Sequence, residues 1–163
     1  MAQGRCLSGL MRAMNPTDIT YLGRQAERLS DLIEAQTLAI FERGGVVIPV
    51  KSCSLLEALS QCQPASASDL ASRLRRSHQI VIQKMPKLLK LDLIERHPDP
   101  EDARRQLLSL TPFGREQLEL MKQATAKLAD AYRAMERDSG PVFETLLETI
   151  SALEEKPLIE RIE

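Results

Sequence analysis

Apolar residues recur along this chain in long stripes that enclose a stretch of a different pattern. Near the N-terminus Ile19, Leu22, Ala26, Leu29, Ile33, Thr37 and Ile40 follow one another at steps of three and four. That is the spacing of one face of an α-helix of about seven turns. Asn15-Pro16-Thr17-Asp18 supplies its start signal, with Asn15 or Thr17 as cap and Asp18 suited to the positive helix end. Gly44-Gly45 stops it. The residues before this signal read as a loose arm. Beyond Thr111-Pro112, a cap followed by proline at the first helical position, the stepping returns in Leu118, Met121, Thr125, Leu128, Tyr132 and Met135. It ends at Ser139-Gly140-Pro141. A last helix carries Val142, Phe143, Leu146, Leu147, Ile150 and Leu153 and breaks at Pro157, leaving Leu158, Ile159 and Ile162 on a short apolar tail. Stripes of this kind are seams where helices run against each other.

Between them the elements shorten. Val46 to Val50 is a β-branched connector interrupted by Pro49, and Ser54 to Cys62 reads as a helix with Leu55, Leu56, Leu59 and Cys62 inward. Gln63-Pro64-Ala65 ends it. Ser66 with Asp69 three residues on is a capping pair that opens a short helix over Leu70 to Leu74. Arg75-Arg76-Ser77 makes a turn, and His78 to Leu91 forms a second helix. Leu93 to His97 reads as a strand, Pro98 to Ala103 as a loop, and Arg104 to Leu110 as a returning strand. The fold expected is mainly α with a small β-hairpin wing: a winged helix-turn-helix flanked by long helices. We expect one domain over residues 1–163, with 16–44 and 112–156 as a helical dimerisation region and 51–111 as the winged helix-turn-helix.

Charge sharpens this picture. The net charge of −1 argues against nucleic acid, but residues 66–115 hold 10 Lys and Arg against 6 Asp and Glu, so the middle is +4 and the remainder −5. A basic module on an acidic scaffold is the electrostatic footprint of a DNA reader. Aromatic residues are 3% with no Trp, so the core is built from aliphatic side chains. No run of about 18 apolar residues is present, and the N-terminus makes a poor signal peptide, so a cytoplasmic protein without a membrane partner is expected. Cys6, Cys53 and Cys62 match no metal-ligand spacing. On one helix Cys53 and Cys62 would stand roughly 13.5 Å apart, beyond the ~7 Å limit for a disulfide. His78 and His97 lie in no catalytic spacing and no phosphate-cradling glycine loop occurs. Neither an enzyme nor a metal or cofactor site is expected.

The candidate DNA-contacting residues follow from the module. Ser66 opens a helix whose free N–H groups suit a phosphate. Ser77 begins the second helix, where His78, Gln79, Ile80, Ile82, Gln83 and Lys87 face outward and Val81, Met85 and Leu88 inward. Glutamine pairs with adenine edges and isoleucine packs on a thymine methyl. Lys84, Lys87 and Lys90 suit phosphates. At the hairpin tip Asp102 precedes Arg104 and Arg105, and a tip arginine suits the narrow minor groove, with a nearby aspartate to shape it. For dimerisation the candidates are Ile19, Leu22, Leu128, Tyr132, Phe143, Leu146 and Ile150.

Leu70-Ala71 with Leu74, Leu93-Ile94-Glu95-Arg96, the Asp99-to-Arg104 loop and Leu108-Ser109-Leu110-Thr111-Pro112-Phe113-Gly114-Arg115 resemble the MarR (multiple antibiotic resistance regulator) family. The resemblance is specific over residues 66–118 and architectural elsewhere. It implies a homodimer joined by its terminal helices, binding a pseudo-palindromic operator on double-stranded DNA as a transcriptional regulator, usually a repressor. It further implies release by a small aromatic or phenolic effector, in a pocket that would involve Tyr21, Arg24, Arg28, Phe41, Leu55 and Leu59. The Asp102 and Arg104 pair matches the family's wing signature. Pro86 departs from the pattern and is expected to kink the recognition helix or to start a new one. Ile80 and Ile82 replace small polar residues, Lys84 an apolar one, and Asp92 the usual glycine. The alternative reading is a winged-helix protein-interaction module with a degraded DNA reader.

Overall fold

The structure, a computed structural model, describes residues 18–102 and 104–162. The arm, the Asn15 and Thr17 caps and Cys6 lie outside the described residues. The chain divides into two units within its first helix, one ending at Gln36 and one beginning at Thr37. In the first, Asp18 caps a 3-10 turn over Ile19–Tyr21, its carboxylate accepting from the Thr20 N–H at 2.9 Å. Helix α1 (Leu22–Arg43) follows directly. On its apolar stripe Ile19 and Leu22 are exposed, while Leu29 and Ile33 are half-buried.

The second unit starts with the last turns of α1, where Thr37 and Phe41 turn inward. Gly45 takes the left-handed conformation (φ +68°) that closes the helix, and the Val46 N–H returns to the Phe41 carbonyl at 2.9 Å. A residue seventy positions away fastens the connector. Gln117, itself buried, accepts from the Val47 N–H at 2.8 Å and donates to the Gly45 carbonyl at 3.3 Å. Both ends of a buried amide are thereby satisfied. A 3-10 turn over Val50–Ser52 leads to α2 (Cys53–Cys62), which buries Leu55, Leu56, Ala58 and Leu59.

Strand β1 (Ala65–Ser66), helix α3 (Ala67–Arg73), helix α4 (His78–Lys90), strand β2 (Ile94–Pro98) and strand β3 (Gln106–Leu110) complete the winged module. The sheet has three antiparallel strands in the order β1-β3-β2. Leu108 on the central strand lies opposite Ala65 on one side and Arg96 on the other. Two residues are too few to show a period of two, so β1 has no sequence signature. Leu108 and Leu110 point inward, joining Leu70, Val81, Leu88 and Leu93 in one aliphatic core with Phe41, Ile48, Leu56 and Leu59.

Helix α5 (Pro112–Ser139) opens as its Thr-Pro signal requires: Thr111 Oγ1 accepts from the Gly114 N–H at 2.8 Å and donates to the Asp92 carbonyl. Gly114 is demanded by contact. A Cβ there would stand 1.9 Å from the Leu93 carbonyl oxygen, a backbone atom with no room to yield. Gly114→Ala is therefore expected to destabilise the protein by about 1–3 kcal/mol, toward the upper end, as overpacking against a rigid neighbour does; urea denaturation checks it.

Burial along α5 stops at Ala124. From there to Ser139 no side chain is buried, and helix α6 (Val142–Glu155) buries none at all. Phe143, Leu146, Leu147, Ile150 and Leu153 nevertheless stand on α6 as an exposed apolar stripe.

Candidate nucleic-acid interface

Two short helices and a turn set the geometry. Ser66 caps α3 in a reciprocal box: its Oγ accepts from the Asp69 N–H at 3.2 Å, and its own N–H donates to the Asp69 carboxylate at 3.0 Å. Hydrogen bonds from the Ser66 hydroxyl and then its N–H, with a smaller push from Arg105, hold Asp69 below the usual carboxylate range. The Leu74 N–H returns to Leu70 and the Arg76 N–H to Ala71, at 3.0 Å each, while Arg75 takes a left-handed φ of +49°. Ser77 then caps α4.

At 100° per residue, Gln79, Gln83, Pro86 and Lys90 share the outer face of α4, with Lys87 beside them. All are exposed, as are His78, Ile80 and Ile82. Val81, Met85 and Leu88 form the buried inner face. Pro86 neither ends nor restarts the helix, contrary to the sequence expectation of a second start; α4 runs unbroken from His78 to Lys90. Only the Ile82 carbonyl loses its helical donor, and Ile82 and Pro86 are both exposed, so water can supply one. Met85 keeps helical geometry before the proline because its side chain is buried in the core, and packing outweighs local bias. Asp92 takes the left-handed position (φ +54°) that its place after the helix requires.

The wing is shaped by its acids. Asp102 Oδ1 accepts from the Arg104 backbone N–H at 3.0 Å, and Asp99 Oδ1 from the Glu101 N–H at 2.9 Å. The aspartate therefore bends the tip rather than holding the guanidinium, which has no polar partner among the described residues. The Arg105 guanidinium is engaged instead, with Ser66 Oγ at 3.4 Å, Asp69 at 3.5 Å and Asp99 at 3.7 Å. Between the start of α3, the wing-side flank of α4 and the hairpin lies a concavity of about 330 Å³. His78, Arg96, Arg104 and Arg105 line it, and Ile82 and Met85 contribute apolar surface.

Of the sequence candidates, His78, Ile82, Arg104 and Arg105 line this concavity, and Gln79, Gln83 and Lys87 stand exposed on α4. Ser66 is buried and committed to its cap beside the Asp69 carboxylate, whose charge disfavours a phosphate there. Lys84 turns away from the outer face and donates to the Lys51 carbonyl, bracing α4 on the turn before α2. Desolvation, then Arg76, lowers its pKa. Ser77 acts as a cap. Arg96, not among the sequence candidates, also lines the concavity, from strand β2. Among the dimerisation candidates Ile19, Leu22, Phe143, Leu146 and Ile150 are exposed, and Leu128 and Tyr132 half-buried. Phe41, Leu55 and Leu59, named for an effector pocket, are packed into the core instead.

Cys53 and Cys62 are free thiols. Burial pushes Cys53 up to about 11 from 9.0, which leaves about a hundredfold less thiolate near pH 8. Its alkylation by iodoacetamide is expected to be about tenfold slower than that of an unhindered thiol with the ordinary pKa, the lost thiolate being partly offset by its higher nucleophilicity, read by mass spectrometry. Among the described residues no group of His, Cys, Asp and Glu is placed to hold a metal, and no helix is long and apolar enough to cross a membrane.

Comparison with known proteins bears on this surface. The family described as HVO_A0114 matches residues 47–108, the winged module. No curated protein matches the sequence. Among solved structures, a MarR-family transcription regulator is 27% identical, with a TM-score of 0.60, over 86% of this chain and 95% of its own. The transcriptional repressor CouR, bound to a DNA duplex, is 22% identical with a TM-score of 0.64, over 80% of this chain and 92% of its own. The PcaV transcriptional regulator from Streptomyces coelicolor, in complex with its natural ligand, is 19% identical with a TM-score of 0.62, over 90% and 98%. The fold is that of the MarR-type regulators, as the sequence resemblance implies.

Proposed function

We propose that this chain, a winged helix of the MarR type, is a sequence-specific DNA-binding transcriptional regulator that works as a homodimer on a pseudo-palindromic operator. The observation that carries the reading is the pairing of an unbroken recognition helix, with Gln79, Gln83 and Lys87 exposed, with a wing whose Arg104 guanidinium has no polar partner among the described residues. In this reading α4 enters the major groove, where the glutamines read base edges and Lys87 holds phosphate. Arg104 enters the adjacent minor groove. The bare apolar stripe of α6 supports a second copy as partner, since such a helix gains nothing in water by itself.

The protein acts as a repressor, released when a small aromatic or phenolic effector or another signal shifts the spacing of its two readers. Support for this comes from the similarity to CouR, a transcriptional repressor bound to DNA, and to PcaV in complex with its natural ligand. It is a cytoplasmic protein and not an enzyme. The test is a fluorescence-anisotropy titration of duplexes from the DNA flanking its gene. Salt-dependent binding with preference over random duplex is expected. A stable dimer with no such preference would instead indicate the protein-interaction module.

A further inference from the structure

We propose that Arg105 is a positioning residue, a strap that ties the wing to the start of α3 through Asp99 and Asp69 and so sets where Arg104 meets the duplex. The inference rests on the DNA-binding reading and gives Arg105 a different task from its neighbour. The two arginines are adjacent in sequence, yet Arg104 has no polar side-chain partner among the described residues while Arg105 has three.

The arrangement spans two elements. Asp99 belongs to the mouth of the hairpin, where its backbone N–H donates to the Arg105 carbonyl at 3.1 Å. Its carboxylate is only 10% exposed; one oxygen accepts from Glu101 and the other faces the Arg105 guanidinium at 3.7 Å. Asp69 and Ser66 belong to the cap of α3, and the same guanidinium reaches Asp69 at 3.5 Å and the Ser66 hydroxyl at 3.4 Å. A single side chain therefore joins the loop of the wing to the helix-turn-helix beside the concavity. Two carboxylates beside a surface built for phosphate oppose DNA binding by simple Coulomb repulsion. Asp69 also closes the Ser66 box and Asp99 accepts from Glu101; the strap sets the repulsion of their charges against the support that Arg105 gives the wing.

That balance gives a test by sign. Asp99→Asn keeps the shape and the acceptor for Glu101 but removes a negative charge. Electrostatics alone predicts tighter DNA binding; the strap predicts weaker binding, by about fivefold, the size expected from losing a modest ion pair. Arg105→Ala is expected to weaken binding by a similar factor while leaving the slope of log affinity against log salt unchanged. A phosphate contact would lower that slope by about one. Hydrogen exchange supplies a readout without DNA: the Asp99 and Arg105 amides are expected to exchange faster in both variants. Tighter binding by Asp99→Asn, a reduced slope for Arg105→Ala, or unchanged exchange would each overturn the strap. Absence of any wild-type preference for flanking DNA would overturn the DNA-binding reading instead, with the exchange result still deciding the strap.

Discussion

Replacing Phe143, Leu146 and Ile150 together by aspartate is expected to leave a folded monomer that binds its operator at least a hundredfold more weakly. The three side chains are 68%, 38% and 52% exposed, and no residue of α6 is buried in its own chain. The winged module therefore loses nothing by the change, and far-ultraviolet circular dichroism should stay close to that of the wild type. The dimer loses much more. Burying each such side chain is worth about 1.5–3 kcal/mol, and the three aspartates add mutual repulsion across a twofold axis. Once the copies separate, each half-site is bound alone, and the loss of linkage costs on the order of 10²–10⁴ in affinity. Sedimentation equilibrium and anisotropy titration measure the two effects; a triple variant that remains dimeric would remove α6 from the interface.

Arg104→Ala is expected to weaken operator binding by about 10- to 50-fold, the range for one well-placed groove contact. The loss should be steepest on sites with narrow A·T-rich minor grooves, where the negative potential that attracts an arginine is strongest. Folding should be unaffected, because the side chain has no polar partner among the described residues and the tip is bent by the Arg104 backbone N–H on Asp102. Asp102→Ala is the contrast: it removes that acceptor and frees the tip while leaving the guanidinium in place. Unchanged affinity in Arg104→Ala, measured beside a destabilised Asp102→Ala, would show that the wing shapes itself but touches no DNA.

What could be read from residue order was whatever repeats or caps. The stripes of α1, α5 and α6, the Thr111-Pro112 start, the Ser66–Asp69 box and the inner face of α4 all carry local signals, and α3 to α6 lie where those signals place them; α1 begins only at Leu22, after a 3-10 turn capped by Asp18. Pro86 shows the limit of local reasoning. A proline in mid-helix argues for a break, but Val81, Met85 and Leu88 bury one face on both sides of it, and the lost donor falls on the exposed side. Long-range partners were not legible. Nothing near Lys84 in the chain points to the Lys51 carbonyl thirty-three residues earlier, nor does anything near Gln117 point to the Gly45–Val47 connector. Ser66 was legible as a cap, yet capping and phosphate binding use the same residue types. Only the burial of Ser66 and the closeness of the Asp69 carboxylate separate the two.

The central claim is that two copies present α4 and the wing to successive turns of one duplex. Hydroxyl-radical footprinting of the DNA flanking the gene, combined with the stoichiometry of the complex, tests it most directly. Two protected patches related by a twofold axis, about 10–10.5 base pairs apart or a multiple of that, with two chains per site, is the result predicted. A single patch bound by one chain, or uniform protection indistinguishable from that on random DNA, would contradict it.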